Sequence, residues 1–156
     1  MKRVSLAPFV ASPQIVVGAM LQLADLKKDE ILFDLGCGDG RILLEAAQKY
    51  GANAVGVELD EGRYKGCLAK VKENNLNNRV KIIHGNLLEV DLKNANVVTL
   101  YLLTSANDRI RPNLERDLKK GTRVVTHDFP ITGWTAKKIK ELKEDWSSHT
   151  LYLYEV

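Results

Sequence analysis

The side chains best suited to hold a small polar ligand are two acids, Asp34 and Glu58, and one amide, Asn86, together with a glycine-rich stretch between them. In Phe33-Asp34-Leu35-Gly36-Cys37-Gly38-Asp39-Gly40-Arg41 an apolar run ends in three alternating glycines, and a periodic apolar pattern starts at once. Glycines there let the chain reverse tightly, and the reversal is expected to leave backbone N–H groups open to a ligand. A dinucleotide fingerprint needs glycine at 36, 38 and 41, but position 41 is Arg41 and the third glycine is Gly40. Asp34 and Asp39 would repel a pyrophosphate. The expected ligand therefore carries positive charge and no phosphates.

Glu58 stands at the end of the short apolar run 54–57, about 20 residues beyond the turn, where a carboxylate accepts hydrogen bonds from both hydroxyls of a ribose. Asn86 follows the run 80–84 and is placed to pair with an adenine edge, with Leu87 packing on its face. Thr104 and Asp128 follow the runs 95–100 and 122–127, as polar groups at the same expected end of a sheet. Phe9 and Tyr101 offer π faces to a cation, as do Trp134 and Trp146. His127 is expected on the opposite side from Asp128, because side chains alternate along a strand. Cys37 and Cys67 lack C-x-x-C spacing and matching histidines, so neither a metal site nor a disulfide framework is expected.

The elements that position these residues follow from periodicity. Ser12 before Pro13 predicts a capped helix start, with an apolar face over 15–24 and an end before the first strand. Residues 1–28 then form a lid and packing helix, and 29–156 the core of a single domain. Strands are predicted at 31–33, 54–57, 80–84, 95–100 and 122–127. Helices are predicted to about Tyr50, over 61–75 with Tyr64, Cys67, Leu68 and Val71 facing inward, and from Ser105 or Asn107 to about Lys119. Pro112 fits a first helical turn better than an interior. The tail alternates lysines with apolar residues and predicts a hairpin of two edge strands turning near 145–148.

At 156 residues the chain has the length of one domain, and a net charge of +3 falls short of a dedicated nucleic-acid binder. The apolar stretch 15–26 is too short to span a bilayer and lacks a cleavage pattern, so no membrane anchor and a cytoplasmic location are expected.

With its motifs placed, the chain resembles the class I, seven-β-strand S-adenosylmethionine-dependent methyltransferases. Residues 34–40 match that family's first motif, Glu58 its acidic ribose position and Gly85-Asn86-Leu87 its adenine motif. The sulfonium and ammonium of S-adenosylmethionine suit the charge read at the turn. The resemblance implies an α/β, Rossmann-like sheet of seven strands, mostly parallel with an antiparallel C-terminal strand and helices on both faces. It carries cofactor contacts onto Phe9, Asp34, Gly36, Cys37, Gly38, Gly40, Glu58, Leu59, Asn86, Leu87 and Tyr101, with S-adenosylhomocysteine as product.

More narrowly, Pro8-Phe9-Val10, Ser12-Pro13, residues 98–104 and residues 121–129 are similar to small archaeal protein-lysine methyltransferases and their mitochondrial relatives. That resemblance implies broad-specificity N-methylation of accessible lysines on protein substrates, without nucleic acid, with Tyr101, Thr104 and Asp128 positioning the substrate. Leu100-Tyr101-Leu102-Leu103 departs from the Asp/Asn-Pro-Pro-Tyr motif of enzymes that methylate planar amines. The alternatives are an RNA or small-molecule N-methyltransferase and a non-catalytic protein that binds the same cofactor.

Overall fold

Short β-branched runs separated by amphipathic helices build an alternating α/β chain, and the computed structural model describes residues 11–144 and 146–156 of it. The strands are β1 (Ile31–Leu35), β2 (Asn53–Glu58), β3 (Val80–His84), β4 (Val97–Leu100), β5 (Arg123–His127), β6 (Lys138–Glu144) and β7 (Ser147–Glu155). The helices are α1 (Gln14–Leu23), α2 (Arg41–Tyr50), α3 (Glu61–Glu73) and α4 (Thr104–Asp117). One sheet runs in the order β3-β2-β1-β4-β5-β7-β6. Strands β1 to β5 pair in parallel, and β7 enters antiparallel between β5 and β6. The seven-stranded, mostly parallel sheet is the one expected.

Because side chains alternate across a strand, each face collects its own apolar layer. Leu32, Ala54, Ile82, Val97 and Val125 point toward α1, α2 and α3, where Val17, Met20, Leu43 and Cys67 close one core. Phe33, Val57, Val98 and Val124 point the other way, onto Ile110 and Leu114 of α4. Helices therefore cover both faces. Strand order reverses between β1 and β4, and the crevice at such a switch point, beyond the carboxyl ends of the strands, is where open parallel sheets take ligands.

Several local expectations are corrected. Ser12 does not cap α1. The helix begins at Gln14 after Pro13 with no side-chain cap, and the Ser12 hydroxyl bonds elsewhere. Helix α4 starts at Thr104 and carries Pro112 in its interior. Both Pro112 and Asp108, one turn before it, face solvent, so water can take the carbonyl that proline leaves unpaired. Leu68 is exposed on α3, where Tyr64, Cys67 and Val71 meet the core. Of the two C-terminal strands only β6 is an edge, and its exposed Lys138, Lys140 and Lys143 guard it against pairing with another chain. Among the described residues, no helix is long and apolar enough to cross a membrane.

Candidate functional site

The glycine turn is built from its own backbone. Gly36, Gly38 and Gly40 sit at φ of +82°, +58° and +83°, conformations that a Cβ would strain. The N–H groups of Gly36 and Cys37 donate to the Val57 carbonyl at 2.8 and 3.0 Å, that of Gly40 to the Cys37 carbonyl at 2.9 Å, and that of Gly38 to Glu58 Oε1 at 2.9 Å. These donors are thus spent inside the protein, against the expectation that they stay open, and the turn offers no cradle for a phosphate. The Cys37 and Cys67 sulfurs lie 3.9 Å apart as free thiols, and the bond to Cys67 together with burial holds the Cys37 thiol well above its ordinary pKa.

Asp34 lies at the foot of the turn. Its position in β1 is level with Thr99 in β4, whose hydroxyl donates to Asp34 Oδ1 at 2.9 Å. Burial pushes the Asp34 carboxyl up to about 7, with the negative charges of Glu58 and Asp39 adding to the shift and the Thr99 bond opposing it. A buried carboxyl so poised gains most from a cation beside it. Asp39 differs, because its carboxylate is paired with Arg41 at 2.5 Å and lies 4.0 Å from Lys70. The repulsion of phosphates expected from two acids therefore rests on Glu58, with Asp34 adding its charge only as pH rises through about 7.

Glu58, at the end of β2, accepts from Gly38 N–H on one oxygen and from Asp60 N–H on the other, both at 2.9 Å. Arg63 stands 3.5 Å from the second oxygen. A carboxylate has about four acceptor positions, so each oxygen keeps capacity for a hydroxyl donor. Beyond β3, Asn86 Oδ1 accepts from Leu88 N–H at 2.9 Å, so the NH₂ is the donor side of that amide. Leu87 is buried beside it, and the Leu59 carbonyl lies 3.1 Å from His84 Nε2.

Ser12, Asp34, Gly36, Cys37, Gly38 and Tyr101 share the wall of one open cleft. Gly40 caps α2 behind it, and Glu58 joins it through Gly38. Leu59, Asn86 and Leu87 continue the row along the next strand ends without lining the cleft. Thr104 is exposed on the first turn of α4. Phe9 lies outside the described residues. Trp134 packs edge-on against Tyr154, and Trp146 is fully exposed at the β6–β7 turn, so neither shares the cleft wall.

The largest correction concerns His127. Strand alternation stops at Asp128, which takes φ +63°, donates its N–H to the Thr150 carbonyl and accepts from Thr150 N–H. Its other oxygen thereby comes 3.5 Å from His127 Nε2, on the same side. His127 is fully buried, stacked on Tyr101 with ring centroids 3.9 Å apart. Its Nδ1 lies 2.8 Å from Ser12 Oγ and its Nε2 2.8 Å from His149 Nδ1. Burial lowers the His127 pKa to about 4, with His149 adding to the shift and Asp128 opposing it. Donor atoms of His127, Asp128 and His149 fall within 4.8 Å of one another. Sequence spacing misses Ser12 and His149 because their partners are remote in the chain.

Comparison with known proteins adds a lineage to this geometry. A family model described as the ANTKMT methyltransferase domain matches residues 34–138. A protein-lysine N-methyltransferase from Saccharolobus islandicus is 44% identical over 150 residues, covering 96% of this chain and 93% of that protein. The crystal structure of an RNA methyltransferase from Salinibacter ruber in complex with S-adenosyl-L-homocysteine superposes with a TM-score of 0.87 at 39% identity, covering 94% of each chain. A ribosomal protein L11 methyltransferase from Clostridium botulinum is 34% identical over 65% of this chain and 32% of its own length.

Proposed function

This chain belongs to the ANTKMT methyltransferase family, and from that membership we propose that it methylates lysine side chains of proteins, with S-adenosylmethionine as donor. The observation that carries the reading is the cleft itself: a buried Asp34 carboxyl at the foot of a glycine turn whose N–H groups are already spent. Such a pocket rejects phosphates and takes a cation. Glu58 suits the ribose through its remaining lone pairs, and Asn86 with Leu87 suits the adenine. Gly36, Cys37, Gly38, Gly40, Leu59 and Tyr101 complete the cofactor contacts, and residues 1–156 act as one methyltransferase domain.

S-adenosylmethionine supplies an electrophilic methyl group on its sulfonium when bound. The protein's part is to align a neutral amine with that methyl and exclude water. At pH 7 a free lysine is neutral in only roughly one molecule per two thousand. Desolvation against the Tyr101 ring, in a cleft built for a second cation, disfavours the ammonium and lowers that barrier. Thr104 and Asp128 stand outside the cleft wall, at the start of α4 and just beyond β5, and are the polar groups that position an acceptor arriving from solvent.

A second reading, methylation of RNA, is favoured by the activity named for the Salinibacter relative. The test is transfer of label from the methyl group of S-adenosylmethionine into cell extract, followed by protease or nuclease. Label recovered as methyl-lysine that survives nuclease is the expected result. Label released by nuclease assigns RNA instead, and tight cofactor binding without transfer assigns a non-catalytic role.

A further inference from the structure

Ser12 and His149 are far apart in the chain, yet hydrogen bonds join them through a single buried ring. From the cleft wall, Ser12 Oγ reaches His127 Nδ1 at 2.8 Å, and His127 Nε2 reaches His149 Nδ1 at 2.8 Å. His149 Nε2 then lies 3.2 Å from Ser147 Oγ and 3.6 Å from Glu144 Oε2, both at the surface end of the β6–β7 hairpin. We propose that Ser12, His127 and His149 form a relay that carries the proton of the methyl acceptor from the cleft to solvent. This rests on the amine-methylating reading above, in which the acceptor must lose a proton before it can attack.

The arrangement has what a relay needs. Every member is both donor and acceptor when neutral, and burial keeps His127 neutral near pH 7. The Tyr101 ring covers the face of His127, so the polar route through that imidazole runs from one nitrogen to the other. Arg41 donates to the Ser12 carbonyl at 2.9 Å and fixes the entry. Asp128 Oδ2 lies 3.5 Å from His127 Nε2 and 3.9 Å from His149 Nδ1, beside the shared proton, where a carboxylate stabilises a passing imidazolium.

The proton count closes. An N–H bond of the acceptor ammonium breaks and a proton joins Ser12 Oγ, as the serine's own proton passes to His127 Nδ1. The proton on His127 Nε2 crosses to His149 Nδ1, and His149 Nε2 releases its proton to Glu144 or water. One proton enters and one leaves, no electrons are exchanged, and between turnovers each ring regains its starting tautomer by taking up a proton from water at Nε2 and giving up the one on Nδ1, with no net change in protons. A metal ion held by the same three side chains fits less well. Two ligands on a tetrahedral zinc at about 2.0–2.1 Å stand roughly 3.3 Å apart, whereas these ring nitrogens are already within hydrogen-bond distance.

His149→Phe keeps a ring of similar size without nitrogens and is the first test. It should lower kcat by about 100-fold with the KM for cofactor unchanged. By NMR it should also slow exchange of the His127 ring proton with solvent, a readout that needs no substrate. His149→Ala should lose kcat likewise and regain it with added imidazole, whereas Ser12→Ala should lose kcat without such rescue. Wild-type kcat in His149→Phe and Ser12→Ala across about pH 6–9 would overturn the relay. So would unchanged His127 proton exchange, or a tightly held zinc ion required for turnover. If the wild-type protein methylates no amine, the parent reading fails, and the exchange measurement still decides whether the path conducts.

Discussion

Asp34 turns a sequence motif into a measurable pH dependence. Its carboxyl is held protonated up to about 7, and a bound sulfonium favours the carboxylate, so binding expels a proton wherever free Asp34 still carries one. Affinity for S-adenosylmethionine should therefore rise with pH, by up to roughly tenfold per unit, and level off above about 7. S-adenosylhomocysteine, without the sulfonium charge, should respond less, and Asp34→Asn should flatten the curve; calorimetry across pH checks all three. The positions of Asp34, Glu58 and Asn86, at or just beyond the carboxyl ends of β1, β2 and β3, are legible in the sequence because the local apolar pattern fixes those strands. His127 is not, because the alternation rule fails where Asp128 enters the left-handed region, and nothing local in the sequence announces that turn. Asp39 is overweighted by sequence for a related reason: its neutralising partners, Arg41 and Lys70, become partners only once α2 and α3 are in place.

At the scale of elements, β2 must pass close beneath the glycine turn for Glu58 to reach Gly38. Gly56 permits it. A Cβ there would stand 2.4 Å from Leu43 Cδ1 on α2 and 2.8 Å from Cys37 Sγ in the turn, both side-chain ends buried in the core with little room to yield. Gly56→Ala is expected to cost about 1–3 kcal/mol in urea unfolding and to weaken cofactor binding, since strain is relieved by moving the turn. Strands β1 to β3 and helix α2 are readable from runs, caps and glycines. The start of α4 is not, because a proline inside a helix is tolerated only when the opposed carbonyl faces water, which depends on how the helix sits. Nor does the tail's alternation reveal that β7, rather than β6, pairs with β5.

Across the whole molecule, two buried titrations oppose each other. Asp34 is raised from 3.8 to about 7, so its contribution is present in acid and is lost as pH rises through that window. His127 is lowered from 6.5 to about 4, so its contribution is present above 6.5 and is lost as pH falls. The shifts correspond to about 4 and about 3 kcal/mol, so the free protein should change little in stability between about pH 4 and 7. Asp34→Asn should unmask the histidine slope, with a urea midpoint that drops as pH falls from about 6.5 to 4. Below that range, carboxylates such as Glu30, which Arg123 holds below its ordinary value, add their own loss.

The hydrogen bond from Ser12 to His127 joins residues 115 positions apart. Closing so long a loop costs entropy before the contact returns anything, and contacts of that span form late in folding. A chain whose strands are laid down while Ser12 is still apart from His127 has a sheet and helices without a finished cleft wall. The contact that completes the cleft wall is thus expected to form only after the sheet it closes on is in place.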